Sequence, residues 1–238
     1  METIDKINEM VKAGFPCYYI YTEDELSVKS QLEELSRSFS DQEYRFIEWT
    51  VNTGDLEDQI KDITSNNVAA FYILINIHFF LEQPGIIQHI KDGIPIWKGV
   101  GHKVFFLEND KKIPPEINRN ITYIEFDLPD EKQLTKEVNF IIESALEAGL
   151  KISLDESQIS LVSKSALGLT AQQSQDAFSL SVVRNRDIST DVVTEIKATE
   201  YLKTGLLELE SPQSIDSFLG YDNPVSYTHL RAHETGRN

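Results

Sequence analysis

The chain has 238 residues, 40% apolar and 26% charged, an ordinary globular composition with material for a substantial core. Its 22 basic and 39 acidic side chains leave a formal net charge of −17. The average surface therefore repels nucleic acid and anionic membrane, and neither is expected as a partner.

Cys17 is the single cysteine, so there is no disulfide framework and no thiolate metal site to expect. Met1-Glu2-Thr3-Ile4-Asp5 lacks the basic-then-apolar pattern of a secretion signal. The longest apolar stretch, Val68 to Leu81, is interrupted by Asn76 and His78 and is too short to span a bilayer. A reducing, cytoplasmic compartment is expected.

In chain order, Ile4, Ile7, Met10 and Val11 recur at helical spacing behind Thr3, and Gly14 and Pro16 end that helix. Cys17-Tyr18-Tyr19-Ile20-Tyr21 is short, aromatic and β-branched, which predicts a strand. A helix over 23–39 carries Val28, Leu32, Leu35 and Phe39 as an apolar stripe. Thr22 and Glu25 have the spacing of a capping box at its start. A strand is predicted at 44–50 and a short helix at 56–63.

The stretch from Val68 to Ile75 is apolar without interruption, as expected of a strand buried on both faces of a parallel sheet. Ile73 and Ile75 should face one side, Tyr72 and Leu74 the other, with this strand central. A helix over 84–92 and strands at 103–107 and 121–126 follow. Strands alternating with helices at this rhythm predict an α/β fold with a five-stranded, mostly parallel sheet sandwiched by helices.

From Glu131 the period becomes 3.6, with helices predicted over 131–148, 155–166, 171–184 and 189–203. Gly168 should end one, and Thr170 with Gln173 should cap the next. Around Ser211 and Pro212 a polar linker begins. The last fifteen residues, Pro224 to Asn238, hold two of the five histidines and little aliphatic pattern. They read as foreign to the fold.

Catalytic residues are hard to assemble. In nucleotide-hydrolysing α/β domains the buried strand ends in two acids, one for Mg²⁺ and one for the attacking water. Here Asn76 and Ile77 stand there, without the charge or lone pairs for either task. The turn after the first strand would hold a glycine-rich phosphate loop. It reads Thr22-Glu23-Asp24-Glu25, and no such loop occurs elsewhere. Asn109, ending the fourth strand, is placed to sense a phosphate or simply to open a turn with Asp110. Arg119 reads as a solvated loop arginine, and His78 as a partly buried structural histidine rather than as the mate of Glu82 four residues on. His229 and His233 have i, i+4 metal-ligand spacing but no third ligand, so no metal is expected. Asp191 and Glu195 read as a solvated helix face.

The order of these segments resembles a AAA-type ATPase module stripped of its nucleotide-binding residues. It runs through the strand ending at Asn76, the strand ending at Asn109, Ile113-Pro114-Pro115-Glu116-Ile117 and Ala166-Leu167-Gly168-Leu169-Thr170. More closely, it resembles the N-terminal half of the AAA ATPases described as a hypothetical chloroplast reading frame and their bacterial relatives. The resemblance implies a P-loop-like (AAA-type) sheet lacking its P-loop over 1–129 and a helical lid subdomain over 130–185. A helix and linker would occupy 186–214. Residues 215–223 would open an active ATPase domain, with Gly220 and Tyr221 as candidates to lie against adenine, and 224–238 would be a non-native tail on a truncated chain.

On that resemblance the chain is a non-catalytic regulatory or oligomerisation module with no cofactor of its own. ATP and Mg²⁺ would belong to the full-length parent. Its partners would be the missing C-terminal AAA domain and, at full length, further copies of itself, in the cytoplasm or, if plastid-encoded, the stroma. Two other readings stay open: a small-ligand-binding α/β enzyme domain using the groove near Thr22, Asn76 and Asn109, and a scaffold without ligand. Glu23, Asp24 and Glu25 disfavour an anion in that groove but would permit a cation.

Overall fold

A computed structural model describes residues 3–39 and 44–203. Its sheet unit runs α1 (Thr3–Lys12), β1 (Cys17–Tyr21), α2 (Glu25–Arg37), β2 (Arg45–Trp49), α3 (Leu56–Ser65) and β3 (Ala70–Ile75). A 3₁₀ turn at Ile77–Phe80 leads to α4 (Pro84–Val100), β4 (Lys103–Glu108), α5 (Pro115–Asn118) and β5 (Thr122–Glu125). The five strands are all parallel, in the order β2-β3-β4-β1-β5.

β3 is flanked on both sides, by β2 and β4, but the middle place belongs to β4, one position from the expected centre. β3 also starts at Ala70. Val68 is 59% exposed, and its N–H is taken by the Asn66 side chain in a local turn, which keeps it out of the ladder.

The period of two divides the apolar residues between two cores. Tyr72 and Leu74 pack with Ile60 and Ile63 of α3 and with Ile90 and Trp97 of α4. Phe71, Ile73 and Ile75 pack on the other face with Ile7 of α1 and with Val28 and Leu32 of α2. The face assignment predicted for β3 therefore holds. α4 is longer than predicted and runs through Pro95. Its interior proline removes a hydrogen bond. However, Ile86, Ile90, Ile94 and Trp97 continue one buried stripe past it, and that burial carries the helix on.

The helical unit follows as α6 (Glu131–Glu147), α7 (Glu156–Ser165), α8 (Ala171–Asn185) and α9 (Thr190–Lys203). Capping boxes open three of these helices, from Asp130 with Gln133, Asp155 with Gln158, and Thr170 with Gln173. Gly168 adopts φ +92° as expected of the residue between α7 and that last cap. The unit has its own core, centred on Leu134, Val138, Ala166, Leu169 and Phe178. No described helix is long and apolar enough to cross a membrane.

Candidate functional site at the strand C-termini

In an open parallel sheet the functional crevice lies at the carboxyl ends of the strands. Here the ends of β1, β3 and β4 meet around a cleft of about 130 Å³. Each wall follows from how its strand stops.

β1 stops at the Thr22 turn. The Thr22 N–H still donates to the Glu108 carbonyl at 2.9 Å, so Thr22 remains in the sheet ladder and cannot serve as N-cap of the next helix. Its hydroxyl instead accepts from Asp24 N at 2.9 Å, and Asp24 caps α2 by accepting from Ser27 N at 3.2 Å. The predicted Thr22–Glu25 capping box is thus replaced by an aspartate cap, and α2 begins two residues later than expected. Glu23 and Glu25 are left to line the cleft.

β3 stops at Asn76, which takes a left-handed conformation, φ 57° and ψ 39°. Asparagine tolerates that region better than most residues. Its N–H donates to the Leu107 carbonyl at 3.0 Å, and its side-chain amide reaches Glu25 Oε2 at 3.5 Å.

β4 stops at Glu108, only 1% exposed. Its carboxylate accepts from the backbone N–H of Ile77 at 2.9 Å and of His78 at 3.2 Å. His78 Nδ1 lies 2.5 Å from the same carboxylate. His78 is the half-buried structural histidine the sequence favoured, and the alternative pairing with Glu82 is not formed. Residues 77–80 make a 3₁₀ turn rather than an α-helix, so positions 78 and 82 do not share a helical face. Burial pushes the Glu108 carboxyl up to about 7, against the opposing pull of His78 and the two backbone donors.

Asn109 lines the same cleft, and the turn expected beside it is present. Asp110 accepts from Lys112 N at 3.0 Å, and the Tyr19 hydroxyl ties the turn down by donating to the Asp110 carbonyl at 2.8 Å. The cleft thus brings together Thr22, Asn76 and Asn109, as the sequence predicted, and adds Glu108, which that reading missed. The available signal was an acid closing an otherwise apolar strand, Val104-Phe105-Phe106-Leu107-Glu108.

Three carboxylates and no lysine or arginine line the cleft. That arrangement does not fit a polyphosphate, whose binding requires backbone N–H groups and cations. Among the described residues, no group of three or more His, Cys, Asp or Glu side chains is placed to hold a metal ion. Cys17 is wholly buried, and burial drives its thiol far above the usual range, which leaves it unreactive. Arg119 is exposed at the end of α5. Glu195 pairs with Arg184 at 2.8 Å. Gly220, Tyr221, His229 and His233 lie outside the described residues.

Comparison with known proteins agrees with this architecture. The solved structure of Caenorhabditis elegans PCH-2 is similar at a TM-score of 0.56 and 10% identity, over 84% of this chain and 68% of that one. Domain III of the Thermotoga maritima replication initiation protein DnaA is similar at a TM-score of 0.53 and 12% identity, over 82% and 90%. At such identities the likeness speaks to fold alone.

The chain is also 24% identical to an AAA domain-containing protein, ycf46, of Trieres chinensis, over 94% of this chain and 47% of that protein. The protein of the same name from Guillardia theta is 23% identical, over 98% and 48%. The chain therefore spans about half the length of these curated relatives. A family model for the N-terminal domain of SpoVK-like AAA ATPases matches residues 3–126, and one for the second domain of the same proteins matches residues 132–199. With more than half its length matched in this way, the chain belongs to the SpoVK-like AAA ATPases and carries their N-terminal region.

Proposed function

We propose that this region is a non-catalytic regulatory and oligomerisation module of a AAA ATPase. On this reading the ATP and Mg²⁺ chemistry resides in a further AAA domain of the full-length protein, with which the module packs. The observation that supports it is the replacement of a phosphate loop by Thr22-Glu23-Asp24-Glu25, whose acids line or cap the place where phosphates would lie. Asn76 and Ile77 at the end of β3 supply neither a metal-binding nor a water-polarising carboxylate. Its partners are that domain and, in the full-length protein, further copies of the same chain, in the cytoplasm or a plastid stroma.

The reading as a small-ligand enzyme gains no support, because the cleft of about 130 Å³ falls short of the roughly 300–1,000 Å³ of typical ligand pockets. Calorimetric titration of the chain with Mg-ATP tests the proposal. Binding no tighter than about 1 mM is expected, a standard free energy weaker than about −4 kcal/mol. A micromolar constant would overturn it.

A further inference from the structure

Asp24 does more than cap α2. Its Oδ1 accepts from Ser27 N at 3.2 Å, while its Oδ2 accepts from Ala171 N at 2.6 Å, 147 positions away in the chain. Ala171 is the first residue of α8, and the N–H of a first helical residue has no acceptor within its own helix. One carboxylate thus takes an orphan donor from two helix N-termini, one in each unit. Both ends carry the positive pole of a helix dipole, and the side chain is only 8% exposed, where a charge-assisted bond is screened little.

The setting makes this contact consequential. The apolar core of the helical unit shares no residue with the two cores of the sheet unit. Continuity of a hydrophobic core therefore does not fix how the units sit, although α2 and α8 do touch. Thr170 already caps α8 through Gln173 N at 3.1 Å, so Asp24 is not needed for the helix to start. What it adds is a tie across the boundary.

We infer that the Asp24 carboxylate is a built-in anionic latch, holding the N-terminus of α8 against that of α2 so that the helical unit keeps one orientation without a ligand. The inference rests on the reading above, that no nucleotide phosphate occupies this turn. In that place the chain's own side chain supplies the negative charge that two helix ends attract. Asp24 acts here as a positioning residue.

Amide hydrogen exchange on the whole chain tests it, comparing the parent with Asp24→Ser and Asp24→Ala. Serine remains a good N-cap for α2 but removes the second, charged acceptor, whereas alanine removes both. Exchange at Ala171 should rise in both variants by roughly ten- to a hundredfold, the effect of losing a hydrogen bond to a charged group on a local opening. Ser27 should open only in Asp24→Ala, and the amides of β3 should keep their protection in both. Unchanged exchange at Ala171 in Asp24→Ser overturns the latch, as does a rise spread equally over β3. Neither readout involves nucleotide, so micromolar Mg-ATP binding would remove the proposed function without deciding this experiment.

Discussion

Glu108 is the residue whose chemistry reaches furthest. An exposed carboxyl in the unfolded chain titrates near 4.5, and in the fold this one titrates near 7. The folded protein therefore holds a proton that the unfolded chain releases. Its contribution to stability is fully present below about pH 4.5 and is lost as pH rises through about 7. Glu108→Gln keeps an acceptor for Ile77 and His78 but cannot titrate. Urea denaturation from pH 5 to 7 should show the parent losing stability relative to this variant, by no more than about 1.4 kcal/mol per pH unit. Parallel curves would mean that Glu108 does not titrate as its burial dictates. His102 contributes the opposite slope to both proteins, because burial lowers its pKa, and so it cancels from the comparison. The position of Asn76 was legible because it ends an apolar run, and that of Asn109 because it opens the turn with Asp110. Glu108 was visible as the acid that closes β4, but its role was not, since no spacing rule links an acid on β4 to the backbone of the turn after β3. That bond exists only once the two strands are neighbours.

Among the elements, α4 shows how packing overrides local preference. Gly93 lies inside the helix, and a Cβ there would stand 2.6 Å from Cζ2 of Trp97. That indole is fully buried, and its Nε1 donates to Thr64 Oγ1 at 3.1 Å, so it cannot move aside without breaking the bond. Gly93→Ala should therefore cost about 1–2 kcal/mol in denaturation, because overpacking outweighs the gain of about 1 kcal/mol in helix propensity. Gly99→Ala in the same helix meets nothing within 4 Å and should instead stabilise by up to about 1 kcal/mol. Stabilisation by both would show that the indole is not held. Most elements were readable from their periods, because a strand buried on both faces and an amphipathic helix leave distinct patterns in the residues. The exceptions were competitions between neighbours. Thr22 had the right spacing to cap α2 but was already engaged by β4, and Pro95 should have ended α4 but was outweighed by Ile94 and Trp97.

At the scale of the molecule, the separation of the described residues into three cores predicts how damage spreads. Phe178 is fully buried in the core of the helical unit, and Phe178→Ala should cost that unit about 3–5 kcal/mol. Hydrogen exchange should then accelerate across α6 to α9 while the amides of β3 and β4 keep their protection. Equal loss in the strands would show that the two units unfold as one.

The strand order has a consequence for how the protein is made. β1 lies between β4 and β5, with Cys17 in register with Val104 and Tyr18 with Thr122. When β1 leaves the ribosome its neighbours have not yet been synthesised, whereas β2 and β3 can pair soon after they emerge. Until β4 follows, Cys17-Tyr18-Tyr19-Ile20-Tyr21 is an aromatic, uncharged segment without a partner, the composition that associates most readily with other chains. Closing a parallel sheet across so long a loop is also slow. The nascent chain should therefore be most dependent on chaperones between the emergence of β1 and that of β4, and shielding of that one strand should govern its yield.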